Sequence, residues 1–362
     1  MDLGVKRTVT ALLCLVCIFP VLAFFSVGRK LLHVTSPLES ALCQLETRIG
    51  LQQSRNSTGK WEERNVMSKE GRRHIRPDGS ILSVLLIVKT GPGYFKRRQI
   101  TRDLWFSRCT SGDLFGDSKS LNWTEHQLLK DVNVECLFLA GVSEKKDVME
   151  ALRKEKETKG DIFLAPFVDN YHRMTAKTQW TLLWSLQREK PYDYIMLVDD
   201  DTYIVFRQLL PWLLRQPRQG LYSGHRHGNN NLVPVVLCSA DPRNPNCIKK
   251  LPAFLKGRST YAPFASGFAY MLSRDVVSLI VQDALQYIMD GDGLPGSVED
   301  AMVGGLANST GVSLRDEPGF IHYMDEKCSA DTLILVLGNA PSRVLVKMMV
   351  NEEAGKPVCF QL

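Results

Sequence analysis

Apolar residues are distributed in two ways along this sequence. Near the N-terminus, Thr8 to Gly28 runs about twenty residues without a charge, long enough to cross a bilayer as a helix. From Ile81 onward the apolar runs are shorter. Ile81–Lys89, Val134–Ala140, Ile162–Phe167 and Tyr194–Val198 have the length of buried strands, and charged or amphipathic stretches separate them. Those stretches predict helices over Arg98–Arg108, Lys146–Glu155, Ala176–Arg188, Phe206–Gln216, Asp275–Ile288 and Val298–Ala307. Strands alternating with helices predict an α/β domain with a mostly parallel central sheet flanked by helices. Met149 with Leu152, and Trp180 with Leu183 and Trp184, recur at helical spacing and read as core-facing stripes.

Charge gives the N-terminal run its orientation. Lys6 and Arg7 precede it, and Arg29 and Lys30 follow. A cleaved signal peptide would use Val21-Leu22-Ala23 as its small-residue site, but the apolar run continues through Phe24 and Phe25 to Val27. The run therefore reads as a signal anchor at residues 8–28, with residues 1–7 cytosolic and the rest lumenal. Residues 29–78 mix Gln, Arg, Glu, Ser and Gly with few aromatics and read as a stem. Within it, Leu45 to Leu51 has the pattern of a short amphipathic helix. Residues 79–362 form the folded body.

Composition narrows the picture further. The chain has 362 residues, 44% of them apolar, with 45 basic against 39 acidic side chains and a formal charge of +6. That is a globular composition, and the modest basic excess gives no argument for nucleic acid. Asn56-Ser57-Thr58, Asn122-Trp123-Thr124 and Asn308-Ser309-Thr310 are glycosylation sequons. Seven of the nine cysteines lie beyond the anchor, in what would be an oxidising space. Cys238 with Cys247 and Cys109 with Cys136 are candidate pairs, and spacing alone does not decide between connectivities.

The chemistry concentrates where the strongest strand ends. Tyr194–Val198 runs straight into Asp199-Asp200-Asp201, at the strand edge where open α/β sheets bind ligands. An acidic triplet alone reads as a solvated turn or a helix N-cap. Fed by a buried strand, it needs a counter-ion, and a hard divalent cation such as Mg²⁺ or Mn²⁺ takes oxygen ligands of this kind. A second acidic pair, Glu299-Asp300, follows the Gly/Pro-rich Gly291–Gly296 at a predicted helix start. Position alone favours capping; a general base is the alternative. Lys96-Arg97-Arg98 and Arg102 follow the first strand through Gly91-Pro92-Gly93, as phosphate partners or as a solvated face.

These residues carry a resemblance. Arg97-Arg-Gln-Ile-Thr-Arg-Asp-Leu-Trp105 is similar to the Arg-Arg-x-Ala-Ile-Arg-x-Thr-Trp opening of the β-1,3-glycosyltransferases of glycosyltransferase family 31, to which fringe is distantly related. Cys136–Gly141, Asp161 to Tyr171, Met174–Thr178, Tyr261–Ser273 and Glu299–Gly304 resemble the family's later motifs, in the same order, over roughly Ile81 to Tyr323. Leu197-Val198 stands where members often carry Lys-Thr, and Ile100-Thr101 where they carry Ala-Ile. In its divergence from animal members the chain resembles the expanded trypanosomatid branch.

The resemblance implies a GT-A fold and a single-pass type II protein of the Golgi membrane. It implies inverting transfer of galactose or N-acetylglucosamine from UDP-galactose or UDP-N-acetylglucosamine to a glycan acceptor on glycoprotein or glycolipid, forming a β-1,3 linkage. Asp201 would bind Mn²⁺ (or Mg²⁺), with Asp199 and Asp200 near the ribose and the metal's water shell, and His322 as a late metal ligand. Arg97, Arg98, Asp169 and Lys177 would line the nucleotide site. Asp300 would be the catalytic base, and Glu299 would orient it or the acceptor. An inactive relative, acting as a lumenal chaperone or glycan-binding protein, is the alternative reading.

Overall fold

The computed structural model describes residues 82–115, 123–169, 174–227, 253–255, 257–289, 298–322, 333–339, 342–354, 356 and 358. The expected anchor, the stem, the Asn56 and Asn122 sequons and the Cys238–Cys247 pair lie outside the described residues. Among the described residues no helix is long and apolar enough to cross a membrane. The chain divides into two compact units, and the larger, Arg73–Leu183 with Lys190–Leu362, carries the sheet.

Seven strands form that sheet: β1 (Leu82–Lys89), β2 (Val132–Val142), β3 (Ile162–Val168), β4 (Tyr194–Asp199), β6 (Tyr222–Arg226), β7 (Ala265–Ser273) and β8 (Arg315–Asp316), in the order β3-β2-β1-β4-β7-β6-β8. β1 is buried along its whole length, as its unbroken apolar run requires of a strand covered on both faces. It pairs in parallel with β2 on one side and β4 on the other. β3 is parallel to β2, and β6 to β8. Only β7 runs against its neighbours, so the sheet is mixed but mostly parallel, as expected. A second, three-stranded sheet joins β5 (Tyr203–Ile204), β10 (Val336–Leu337) and β9 (Phe320–Ile321) in that order.

The helices are α1 (Phe95–Thr101), α2 (Ser107–Ser111), α3 (Trp123–Asp131), α4 (Lys146–Lys159), α5 (Met174–Gln187), α6 (Phe206–Leu214), α7 (Arg274–Met289), α8 (Glu299–Ser309) and α9 (Ser342–Glu353). The helix expected over Arg98–Arg108 starts earlier, at Phe95, and is interrupted by a π turn at Arg102–Phe106 before α2. Across that wide turn, Thr101 and Trp105 hold the backbone of the acidic loop. Thr101 Oγ1 donates to the Asp200 carbonyl at 2.8 Å and Trp105 Nε1 to the Thr202 carbonyl at 2.7 Å. A disulfide joins Cys109 in α2 to Cys136 in β2, choosing one of the pairings left open by spacing. Met149, Leu152 and Leu183 are buried, and the half-buried Trp180 stacks on Phe163.

The same segment is anchored by buried charge. Arg102 donates to Asp161 through Nε at 2.7 Å and Nη2 at 2.9 Å, and to Glu155 through Nη1 at 2.7 Å. Removing one member of such a pair strands the other charge. Arg102→Met is expected to destabilise the folded body by about 3–5 kcal/mol, read as a lower midpoint in urea unfolding. An unchanged midpoint would show that the segment is held by its apolar contacts alone.

Candidate active site

The chain order reverses around β1: β2 follows it to one side and β4 lies on the other. In open α/β sheets such a switch leaves a crevice at the carboxyl ends of the strands. A cleft of about 440 Å³ opens there, lined among others by Lys89, Arg97, Asp169, Lys177 and Asp199–Asp201. Six of the expected site residues, Arg97, Asp169, Lys177, Asp199, Asp200 and Asp201, thus share one cavity. Arg98, Glu299, Asp300 and His322 are not among its described lining residues.

Within the triplet the three carboxylates have separate fates. Asp200 is buried and committed: Thr90 Oγ1 donates to its Oδ2 at 2.6 Å and Arg97 Nη1 to its Oδ1 at 3.0 Å. The side chains of Asp199 and Asp201 are each 39% exposed. Arg97 reaches Asp201 as well, at 3.3 Å, and its guanidinium lies over the exposed Tyr94 ring. Desolvation holds the carboxyls of Asp199 and Asp201 above the usual range, against Lys89 and Arg97, which pull them down. Two partly exposed, hard oxygen donors beside a cleft suit a cation that takes one or two carboxylates and completes its shell with phosphate and water.

The other expected residues are placed differently. Arg98 is fully buried and turned to Glu155 (2.7 Å) and to the carbonyls of Gly91 and Pro92. Lys177 is buried beneath the cleft, donating to the Thr90 carbonyl at 2.5 Å and to Asp169 at 2.7 Å, while Asp169 also accepts from the Gly141 N–H. Burial pulls the Lys177 pKa down despite Asp169. His322 follows β9, stacks on Phe268 with ring centroids 4.8 Å apart and meets Asn339 at 3.0 Å. Desolvation and the nearby His225 and His227 lower its pKa. Among the described residues no three His, Cys, Asp or Glu side chains converge as a metal cluster, so Asp199, Asp201 and His322 are not gathered into one ligand set.

The acidic pair on α8 does more than cap its helix. Val298 at the N-cap makes no side-chain cap. Glu299 is buried and accepts from the hydroxyls of Thr178 and Tyr270, both at 2.6 Å. Asp300 Oδ2 accepts from the Gly267 N–H on β7 at 2.9 Å. A Cβ at Gly267 would come within 3.3 Å of that oxygen, so glycine there permits the close approach. Desolvation, then the neighbouring Glu299, push the Asp300 pKa up to about 6.

Lys89, not among the expected site residues, connects the two acidic groups. Its Nζ lies 3.3 Å from Asp199, 3.4 Å from Glu299 and 2.8 Å from the Gly267 carbonyl. Burial would lower its pKa, but Asp199, Glu299 and Asp300 together raise it, so it stays charged. The only signal was a lone lysine closing an apolar strand. Asp300, with a folded pKa above its unfolded value of about 4, binds more protons folded than unfolded between pH 4 and 6, so its contribution to stability falls as pH rises through that window. Removing the Lys89 cation raises that pKa further. In Lys89→Met the loss of stability is expected to be steeper and to extend above pH 6, measured by urea unfolding at pH 5 and pH 8. An equal loss at both would mean that Lys89 does not act through these carboxylates.

Sequence comparison finds glycosyltransferases among the proteins this chain is similar to. Beta-1,3-galactosyltransferase 1 of Mus musculus is 24% identical over 243 residues, 66% of this chain and 64% of that protein. Lactosylceramide 1,3-N-acetyl-beta-D-glucosaminyltransferase A of Danio rerio is 27% identical over 261 residues, 69% of this chain and 60% of that protein. The chain spans a little under two thirds of the length of these relatives. Among solved structures, a galactosyltransferase in complex with donor and acceptor sugar analogs superposes with a TM-score of 0.34 at 9% identity, over 76% of this chain and 96% of that one. The family model described as Galactosyltransferase matches residues 96–318, more than half of the sequence, and the chain belongs to that family.

Proposed function

We propose that this chain is a metal-dependent, inverting glycosyltransferase of GT-A type. It moves galactose or N-acetylglucosamine from a UDP-sugar to a glycan hydroxyl, forming a β-1,3 linkage on glycoprotein or glycolipid, from a Golgi membrane anchor. The observation that carries the reading is the cleft at the carboxyl ends of β1 and β4, with Asp199 and Asp201 partly exposed beside it and the Glu299–Asp300 pair joined to it through Lys89.

Each side chain then has a physical task. Mg²⁺ or Mn²⁺, held by Asp201 and Asp199, would supply Lewis-acid neutralisation of the donor diphosphate. Arg97, exposed at the cleft, offers a planar donor to phosphate oxygens. Lys177 and Asp169, paired at 2.7 Å, fix the floor of the nucleotide site. Asp300 accepts the proton of the attacking acceptor hydroxyl, its carboxylate aimed by the Gly267 N–H. Glu299, held by three donors, keeps the first turn of α8 in register with β7. Single displacement inverts an α-linked donor to a β-linked product, and no covalent sugar intermediate forms.

The deciding experiment offers the lumenal body, Ser36 to Leu362, each UDP-sugar with Mn²⁺ and then with chelator. UDP release from one donor, abolished by chelator and by Asp201→Ala, is the expected result. No turnover together with no metal-dependent UDP binding would overturn the enzyme and favour the inactive chaperone or glycan binder. Asp300→Asn is expected to lower kcat about 10²–10⁴-fold, the range for loss of a general base, with donor affinity retained. Because the base must be ionised and its pKa is about 6, kcat should rise with pH through about 6 and level off above it; a flat profile would remove Asp300 from the role.

A further inference from the structure

Helix α8 carries an acidic pair at its start and a sequon at its end. Its first turn carries Glu299 and Asp300, and every residue from Ala301 to Ala307 is buried. Exposure begins abruptly at Asn308 and Ser309. The helix stops there, with Thr310 Oγ1 donating to the Ala307 carbonyl and Gly311 in the left-handed region at φ +87°. Asn308-Ser309-Thr310 is a sequon, and the Asn308 carboxamide makes no hydrogen bond among the described residues. We infer that Asn308 is a site of N-linked glycosylation, and that the glycan stands at the end of α8 remote from the cleft.

Three observations support the assignment. The acceptor amide is at the surface and uncommitted, so the finished fold accommodates a bulky polar substituent without breaking a contact. Substitution there meets a helix terminus rather than its buried body. Asn308 lies eight positions along the helix from Asp300, about 12 Å at 1.5 Å per residue, so a sugar chain would leave the acidic pair unobstructed. In the modification, the Asn308 carboxamide nitrogen attacks C1 of a lipid-pyrophosphate-linked oligosaccharide. A C–N bond forms, the C–O bond to phosphate breaks, the lipid pyrophosphate leaves, and the amide gives up one proton. No electrons are exchanged.

The inference rests on the reading of a lumenal body, and its test separates the two. The full chain would be produced in a eukaryotic secretory cell and its three sequons scored by glycopeptide mass spectrometry before and after glycosidase treatment. Glycan at Asn308, one gel step lost in Asn308→Gln and in Thr310→Ala, and the step retained in Thr310→Ser are the expected results. Glycan at Asn56 or Asn122 with Asn308 bare would overturn the site while leaving the lumenal topology intact. All three sequons bare would overturn both, and UDP release by the purified body would still report on the enzyme.

Discussion

One buried cation organises the centre of this protein. β1 and β4 lie side by side in parallel, with Lys89 in register with Asp199, so the last residue of an apolar strand is a lysine placed beside the first residue of the acidic triplet. Its ammonium is surrounded by Asp199, Glu299 and the Gly267 carbonyl. Three carboxylates, counting Asp300, are close enough to raise its pKa against the desolvation that burial imposes. Without a cation there, Asp199 and Glu299 would face each other in a medium where like charges repel strongly. The cleft and the helix that presents Asp300 are therefore parts of a single charge balance.

The second constraint is mechanical. A strand that ends in three aspartates does not by itself aim them, and the backbone carbonyls of Asp200 and Thr202 are gripped from outside the strand by Thr101 and Trp105. The gripping segment is fixed in turn by Arg102 to Asp161 and Glu155 and by the Cys109–Cys136 disulfide that follows it. Asp200 is consumed as a structural carboxylate between Thr90 and Arg97, which leaves Asp199 and Asp201 turned toward the cleft. A triplet of identical residues thus divides into one that holds the loop and two that face solvent, a division set by neighbours far away in sequence. Thr101 stands where the family resemblance has Ile, so the hydroxyl that meets Asp200 belongs to this chain's own solution to the loop.

Much of this was legible in the amino-acid sequence. Fully buried parallel strands must be nearly continuous apolar runs, so β1 to β4, their alternation with helices and the acidic loop at the end of β4 could be read directly. The six-motif order likewise pointed to the family. β7 escaped notice because Ala265, Ser266 and Gly267 dilute its apolar pattern, although all but one of its nine residues are buried; at Gly267 the absent side chain lets the Asp300 carboxylate of α8 come close. Helix ends shifted by up to four residues, as where α4 runs on to Lys159 beyond the expected Glu155, and the turn before Phe95 and the π turn after Thr101 depend on packing and not on periodicity.

What the sequence determined by itself was therefore the identity of the elements and the chemistry available: carboxylates at a strand end and at a helix start, cations after the first strand. Only the tertiary structure decided which charge meets which. Arg97 faces the cleft while its neighbour Arg98 is buried against Glu155, because successive positions on a helix point about a hundred degrees apart. Lys89 reaches Glu299 across 210 residues, and such pairings follow from strand register and helix packing that no local pattern records.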